Sequence, residues 1–398
     1  MEINQTQRTL LGILAQTFTG KQFNIPEKTD WAALYKESKI QAVAPMVFAA
    51  VSEKCEDQEV CRRWKSHTMR ALQNNMNVHL QHGMLHRQMQ ENNIPYCIVK
   101  GLASAKDYAD PLMRAMGDVD FVILQPSWKE ARRILEEDGF EITGEGHPLH
   151  ISLHKGRIDM EMHRNPFGLE GEIGEKLLAL VPELVENSEE VRCNTVTFRM
   201  PNTFGHGLVM LIHAYRHLID EGIGLRHLYD WAAFISRFSN DEFTGIFKER
   251  LEELGVWKLA QVFAAASHRY LSVPYQPWMG DVDEQICEML MLDIFNGGNF
   301  GTAESERWTQ NRALYSEGYQ LSEESHSKQF LRTLNQKAKE DYPQLMRFAI
   351  LRPFGWMIFA FKYLLRVLTG KRKKIPANTM KMVEIRRKLY QELHVADK

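Results

Sequence analysis

The 398-residue chain has few cysteines, and their spacing excludes two classes of protein. The five cysteines are odd in number, and no two are separated by two residues, as paired metal or redox cysteines are. Neither a disulfide framework nor a zinc knuckle is therefore expected, and the chain fits a reducing cytoplasm. With 44% hydrophobic and 25% charged residues, collagen-like and wholly disordered chains are excluded as well.

The chain also lacks an excess of either charge. Its 49 lysine and arginine residues nearly balance 51 aspartate and glutamate residues, and the formal net charge is -2. No overall positive field is available to hold a long nucleic acid. The N-terminal residues show no export signal, because Glu2 stands where such a signal carries positive charge and Gln16 breaks a short apolar run. A cytoplasmic location is therefore expected.

A long uninterrupted apolar run is absent too. The nearest approach to one is 348–368, and four residues interrupt it: Arg352, Pro353, Lys362 and Arg366. Because charges inside lipid are costly, the sequence predicts no transmembrane helix. Two readings of the segment remain open: a helix packed on the protein core, or a helix lying on a membrane surface. The basic run that follows makes peripheral membrane contact through 348–374 an alternative to core packing.

Helical spacing of apolar residues predicts helices before residue 93. The clearest pattern is a stripe that the sequence predicts to face the core: Met69, Leu72, Met76, Leu80, Met84 and Met89. Helical spacing returns after Pro201. The sequence therefore predicts a helical region at 1–93, a helical domain closing a cleft at 201–340 and a C-terminal helical region at 341–398.

Between these helical regions the apolar pattern changes to that of strands. Runs at 96–99 and 118–124 are typical of buried strands, and runs at 150–154 and 157–163 are joined by a tight Lys155-Gly156 turn. The predicted fold class is therefore α+β, with a small mixed sheet at 94–200 embedded between helical regions.

Two aspartates in the second strand indicate a metal site. Asp118 and Asp120 are two residues apart, so their side chains leave the same face of an otherwise apolar strand. Like charges that are buried side by side repel each other and are tolerated mainly where a cation joins them. A hard divalent ion with oxygen ligands, most simply Mg²⁺, fits this pair.

A third carboxylate is available if the strand at 157–163 lies beside the first. Asp159, Glu161 and His163 alternate onto one face of that strand. Three carboxylates on neighbouring strands can hold two ions about 3.5–4 Å apart, as in phosphoryl and nucleotidyl transfer. Gly117 lets a phosphate chain approach the backbone, and Arg114 could neutralise it.

Histidines later in the chain offer a different hypothesis. His206, His213 and His217 are spaced by seven and four residues on one predicted helix, and His227 and Asp230 lie on the next. Such a set could form the centre of a metal-dependent phosphohydrolase. Alternatively, His213, His217, Arg226 and Asp230 face the cleft and shape a pocket. A further group, His147, His150 and His154, is read as the surface of a hairpin.

The run at 94–124 resembles the uncharacterised nucleotidyltransferase family of the polymerase-beta-like superfamily. The resemblance is carried by a strand ending in Lys100-Gly101, then Arg114, then Gly117-Asp118-Val119-Asp120 and an apolar tail, and finally an acidic residue two before a histidine. Outside this core the similar residues are Asp30-Trp31, Arg226 and Asp230-Trp231. The resemblance covers most of residues 30–235 and becomes weak after that.

This resemblance implies a nucleotidyltransferase sheet that binds a nucleoside triphosphate and two Mg²⁺ ions. The implied metal-binding and catalytic residues are Asp118, Asp120 and Glu161, and Asp159 is the alternative third ligand. Residues implied to bind the nucleotide are Lys100, Gly101, Ser104, Arg114 and Gly117. One departure is that the wider superfamily has Gly-Ser after its first strand, where this chain has Lys100-Gly101 and a displaced Ser104.

The acceptor of the nucleotide is not specified by the resemblance. An acceptor pocket is predicted from Asp159, His163, His213, His217, Arg226 and Asp230. A small molecule or a protein is favoured over a long nucleic acid, because the chain has no positive net charge. The alternative to an enzyme is a non-catalytic scaffold of the same fold, docked to a membrane or a partner.

Overall fold

The structure of the protein is a computed structural model, which describes residues 2–303, 307–314, 352–354, 356–358 and 378–393. The chain divides into two compact units. One contains residues 1–305, 389–396 and 398, and the other contains 306–388 and 397. The four-part division predicted from the sequence stays a prediction.

Helices make up most of the first unit. In chain order they are α1 Gln5–Thr19, α2 Trp31–Ile40, α3 Ala44–Val51, α4 Gln58–Glu91, α5 Leu102–Ala105, α6 Gln125–Glu137, α7 Gly171–Ala179, α8 Val181–Glu186, α9 Thr203–Ile219, α10 Leu225–Ile235, α11 Asn240–Phe243, α12 Glu249–Glu253, α13 Trp257–Leu271 and α14 Glu284–Gly297. Two more helices follow: α15 Arg307–Leu314 and α16 Asn378–Leu393. Short 3-10 helices lie at Pro111–Met113, Pro277–Met279 and Asn299–Gly301, and a π-helical turn lies at Thr244–Lys248.

The strands form two sheets. Their bounds are β1 Tyr96–Ile98, β2 Val119–Ile123, β3 Glu141–Thr143, β4 His150–Lys155, β5 Ile158–His163, β6 Glu189–Cys193 and β7 Val196–Met200. The larger sheet has the order β1-β2-β5-β4-β3, and β6 pairs with β7 in the smaller one. Among the described strand pairs, only β2 and β5 run parallel. The predicted α+β class, with a small mixed sheet between helical regions, is confirmed.

The parallel pairing of β2 with β5 fixes the position of the acidic residues. In its register Asp120 lies opposite Glu161, and Val119 lies opposite Met160. Phe121 and Val119 are on the other face of β2, in the core between the sheet and its covering helices. Because side chains alternate along a strand, burial of the apolar set on one face turns both carboxylates to the opposite face.

The apolar stripe of α4 faces solvent, so the prediction that it faces the core is wrong. Met69, Met76, Leu80 and Met84 are 43–59% exposed, although Met89 at the end of the stripe is buried. The buried face of α4 instead includes polar residues, among them Asn75, His79 and His82.

Hydrogen bonds explain why polar residues of α4 are buried. Asn75 donates from Nδ2 to the carbonyl oxygens of Leu112 and Arg114, at 2.7 and 2.8 Å, in the segment that leads into β2. Imidazole Nδ1 atoms of His79 and His82 lie 2.8 and 2.7 Å from carbonyl oxygens one turn earlier in α4. A buried polar group with a partner is tolerated, and so hydropathy alone selects the wrong face.

A buried ion pair joins the segment before β2 to α10. Arg114 donates from Nε and Nη2 to the two carboxylate oxygens of Asp230, both at 2.8 Å. Tyr108 donates its hydroxyl to the same carboxylate at 2.6 Å. Arg114 and Asp230 are only 6% and 3% exposed. This bidentate pair holds the helical part of the unit against the sheet at the edge where the carboxylates lie.

Replacement of Asp230 tests the structural role of this pair. Asp230→Ala leaves the guanidinium of Arg114 buried without its counter-charge, so the free energy of unfolding should fall by about 3–5 kcal/mol. Urea denaturation measures this loss. As the control, Arg114→Met with Asp230→Leu removes both charges, and it should cost less than the single change. A double variant as unstable as Asp230→Ala would contradict this role.

Candidate active site

Three carboxylates meet where β2 and β5 lie side by side. Oxygen atoms of Asp118, Asp120 and Glu161 lie within 4.8 Å of one another. Asp118 directly precedes β2, Asp120 lies within it, and Glu161 lies on β5 opposite Asp120. The parallel register therefore brings together acidic residues from two distant parts of the chain.

Asp120 is the most strongly compensated of the three. Lys100 donates from Nζ to Asp120 Oδ1 at 2.6 Å, and His163 Nε2 lies 2.8 Å from the same oxygen. Burial opposes ionisation of Asp120, but Lys100 and His163 outweigh it and hold the pKa of Asp120 well below its ordinary value. Asp120 is therefore a carboxylate at neutral pH.

Asp118 lies in a different electrostatic environment. Burial and the nearby charge of Asp120 raise the pKa of Asp118 from 3.8 to about 7. For Glu161, burial favours the neutral form, but the hydrogen bond from His163 outweighs it and lowers the pKa. Within the described residues, no lysine or arginine pairs with Asp118 or Glu161. These two carboxyl groups thus retain the capacity to bind a cation.

The carboxylates line a cavity of about 380 Å³ between the sheet and two helices. One wall comes from the ends of β1, β2 and β5 and the residues beside them, and the other from α9, α10 and the 3-10 helix at Asn299–Gly301. Its described lining is Val99, Lys100, Gly101, Ser104, Arg114, Met116, Gly117, Asp118, Asp120, Glu161, Met210, His213, Ala214, His217, Glu221, Arg226, His227, Asp230 and Phe300. This space is large enough for a small ligand.

Two glycines shape the sheet side of the cavity. Gly101 has a φ of +56°, and a Cβ atom there would lie 3.1 Å from His82 Nε2. Its backbone conformation and its close neighbour therefore both favour glycine. At Gly117 a Cβ atom would meet no atom within 4 Å. The backbone before the two aspartates is thus open to the cavity.

The two arginines of the cavity differ in their partners. The carboxylate of Asp230 binds Nε and Nη2 of Arg114, so the charge of this arginine is already compensated. Arg226 donates from Nη1 to the carbonyl oxygen of Ala115 at 2.8 Å. In the part of the chain that is described, no carboxylate lies within 4.0 Å of the Arg226 guanidinium. Phosphate contact by Arg114 stays a prediction, and Arg226 is the arginine of the cavity that forms no ion pair with a described carboxylate.

Only some of the predicted acceptor-pocket residues line the cavity. His213, His217, Arg226 and Asp230 line the cavity. Asp159 does not belong to the described lining: its carboxylate lies 2.7 Å from His154 Nδ1 and is 60% exposed. This placement does not favour its assignment to an acceptor pocket, which stays a prediction, and no described group of possible metal ligands joins Asp159 to Asp118 and Asp120.

His163 also has a different place from the one expected. It is buried behind the carboxylates, with Nε2 2.8 Å from Asp120 and 3.3 Å from Glu161, and it is not among the described lining residues. Its contacts orient two acidic side chains. His163 is therefore a positioning residue in this geometry and not a pocket wall.

The rings of His213, His217 and His227 lie near one another, but they do not form a group of three possible metal ligands in the part of the chain that is described. Among the described residues, two groups of three side chains lie close enough together to hold a metal ion. One is Asp118, Asp120 and Glu161, and the other is His150, Glu161 and His163. Neither contains a histidine of α9 or α10. Asp230, the carboxylate that the sequence groups with these histidines, already binds Arg114.

Several residues of the cavity were missed by sequence reasoning. Phe300 packs edge-on against His217 and His227, with ring centroids 4.7 and 5.3 Å apart. Glu221 lies 3.4 Å from His217 Nδ1, one helical turn later. The four-residue spacing could have indicated Glu221. No local pattern indicates Phe300, because it comes from a distant 3-10 helix.

Comparison with known proteins identifies the family of the chain. A family model described as uncharacterised nucleotidyltransferase matches residues 27–272. The chain belongs to this nucleotidyltransferase family, as the resemblance in the sequence suggested. The family description gives nucleotidyl transfer as the class of activity.

Among solved structures, the chain is similar to an antigenic nucleotidyltransferase-like protein from Paracoccidioides brasiliensis. The identity is 14% and the TM-score is 0.34, over 50% of this chain and 94% of the other. No curated protein matches the chain.

The buried histidines of α9 and α10 predict acid sensitivity. Burial holds the pKa of His206, His213 and His227 well below 6.5. Below that pH the unfolded chain binds protons that the folded protein does not, so the free energy of unfolding falls on acidification. Urea midpoints should be lower at about pH 5 than at about pH 7. His206→Gln, outside the cavity lining, should flatten this dependence, and an unchanged dependence would contradict the explanation.

Proposed function

We propose that the protein is a Mg²⁺-dependent nucleotidyltransferase that moves a nucleoside monophosphate from a nucleoside triphosphate to an acceptor hydroxyl. The observation that carries the proposal is the convergence of Asp118, Asp120 and Glu161 from two parallel strands at one wall of a cavity. Membership of the nucleotidyltransferase family supports the class of reaction.

In this reaction the acceptor oxygen forms a bond to the α-phosphorus of the triphosphate. The bond from that phosphorus to the oxygen bridging to the β-phosphate breaks, and pyrophosphate leaves with its electron pair. The proton of the acceptor hydroxyl passes to a carboxylate of the site. Glu161 is the residue we assign to orient the attacking oxygen, because it is less buried than Asp120 and lines the cavity.

The donor set fits hard divalent ions. Three carboxylates offer only oxygen atoms, and burial together with the charge of Asp120 raises the pKa of Asp118, which forms no ion pair with a described lysine or arginine. We assign Asp118, Asp120 and Glu161 as the ligands of two Mg²⁺ ions. Such ions, when bound, stabilise charge on the attacking and leaving oxygens.

The triphosphate has a place beside the carboxylates. Lys100 and Ser104 line the cavity at the end of β1, and Gly101 and Gly117 leave the backbone open beside them. We assign these residues to contact phosphate, with the ammonium group of Lys100 compensating Asp120 until the substrate is bound. Arg114 was also predicted to contact phosphate, but its guanidinium is already bound by the carboxylate of Asp230.

The acceptor is proposed to be a small molecule or a protein. The cavity is enclosed on its far side by α9 and α10, which leaves about 380 Å³ for the reacting groups. The chain carries a net charge of -2, so a long nucleic acid is disfavoured.

For the non-catalytic scaffold, the supporting observation is the exposure of Phe354, Met357 and Ile358 in the segment proposed to contact a membrane. The scaffold's proposed membrane contact at 348–374 lies outside the described residues, apart from 352–354 and 356–358. In the described part of the chain, no helix combines the length and apolar character that crossing a membrane requires.

Replacement of the paired aspartates tests the proposal. Asp118→Ala and Asp120→Ala should each abolish Mg²⁺-dependent binding of a nucleoside triphosphate, because each removes an assigned ligand. Nucleotidyl transfer to an acceptor, or to the protein itself, should fall by roughly a hundredfold or more, given that metal contacts supply several kcal/mol. Calorimetry and transfer of labelled nucleotide are the measurements.

Asp159→Asn is the matched control, because Asp159 lies on the same face of β5 as Glu161 but outside the cavity lining. It should leave nucleotide binding unchanged, whereas Glu161→Gln should weaken it. Nucleotide binding and transfer at wild-type levels in both Asp118→Ala and Asp120→Ala would contradict the proposed function.

A further inference from the structure

The positive charges that line the cavity are not equivalent. Lys100 binds Asp120, and Arg114 binds Asp230 through two hydrogen bonds. Arg226 stands apart from both, because none of the described carboxylates forms an ion pair with it. A partly buried arginine that forms no ion pair is costly, unless a ligand supplies the opposite charge.

The groups that contact the Arg226 guanidinium carry no negative charge. Nη1 donates to the carbonyl oxygen of Ala115, and Nη2 lies 3.4 Å from His227 Nε2. The guanidinium carbon lies 5.3 Å from the centroid of the Phe300 ring. Its Nε–H is buried and has no hydrogen-bond partner. The side chain is thus fixed in position with an unused donor.

A second unpaired group lies on the same helical wall. Nδ1 of His213 is buried without a partner, and the His213 and His227 rings are 5.9 Å apart. Burial lowers the pKa of Arg226 and nearby Arg114 lowers it further, and these effects outweigh the more distant carboxylates of Asp230 and Asp118, which raise it. Arg226 also lies in the first turn of α10, where the helix dipole favours a negative group.

We infer that Arg226 and His213 form an oxyanion subsite, which receives a phosphate or carboxylate group of a bound substrate. This inference rests on the proposed function, since it assigns a substrate group to the wall opposite the carboxylates. It replaces Arg114 by Arg226 as the arginine that meets substrate charge. An arginine fork with a free N–H suits a planar or tetrahedral oxyanion.

Two sources can supply the oxyanion: the triphosphate tail, or an acceptor that carries an anionic group. The chemistry at Arg226 is the same for both. They differ in whether the subsite remains open once the nucleotide is bound, and that difference can be measured.

The test uses inorganic pyrophosphate as the probe and the full chain with Asp118→Asn. In EDTA this background has no bound metal and one fewer repelling carboxyl group, so the subsite can be measured without the metal. We expect calorimetry to detect pyrophosphate binding, and we expect Arg226→Met in this background to weaken it at least about tenfold. The matched control is Arg62→Met, which replaces an exposed arginine of α4 and should leave the affinity unchanged.

A second variant distinguishes loss of the subsite from loss of folding. Arg226→Lys keeps the charge but loses the fixed fork, so its affinity for pyrophosphate should lie between those of the arginine and methionine forms. Pyrophosphate binding that is equal in all three forms, or undetectable in the Asp118→Asn background, would overturn the subsite.

Comparison with a non-hydrolysable triphosphate analogue and Mg²⁺ distinguishes the two sources in the otherwise wild-type chain. If Arg226→Met weakens binding of the analogue, the subsite holds the triphosphate tail. If affinity for the analogue is unchanged and the nucleotide-loaded protein still binds inorganic phosphate through Arg226, the subsite serves an anionic acceptor. Arg226-dependent pyrophosphate binding in a protein that shows no Mg²⁺-dependent nucleotide binding would support the subsite and remove the proposed function.

Discussion

Like charges that share a partly buried space repel each other, and this repulsion governs the site. The parallel pairing of β2 with β5 places Asp118, Asp120 and Glu161 within 4.8 Å of one another. Lys100 pairs with Asp120, and His163 contacts both Asp120 and Glu161. Burial, together with the charge of Asp120, raises the pKa of Asp118 to about 7. A site with this repulsion is suited to bind divalent cations, and the proposed chemistry depends on it.

The second constraint is the position of the helices over the sheet. Arg114 and Asp230 join the segment before β2 to α10, so the wall that carries Arg226 is held opposite the carboxylates. One buried pair thus joins the helices to the sheet, while Arg226 forms no ion pair with a described carboxylate. The cavity therefore has an acidic wall and a wall with a cation and neutral histidines, an arrangement that suits a metal-bound, negatively charged substrate.

Local patterns predicted the sheet and its acidic residues well. Two-residue alternation identified β2 and β5, and it placed Asp118 with Asp120 and Glu161 with Asp159 on common faces. It could not separate Glu161 from Asp159, because the choice depends on the register between strands. The exposed stripe of α4, the Asp230 partner of Arg114 and the place of Phe300 were missed for a related reason. Each depends on contacts between residues far apart in sequence, which periodicity does not encode.

The central claim is that divalent ions bind between the three carboxylates together with a nucleoside triphosphate. The most direct measurement is anomalous diffraction from crystals grown with Mn²⁺, in place of Mg²⁺, and a non-hydrolysable triphosphate analogue. The account predicts anomalous peaks within coordination distance of Asp118, Asp120 and Glu161, with the phosphates beside Lys100. An ordered analogue in the cavity with no peak at these carboxylates would contradict it.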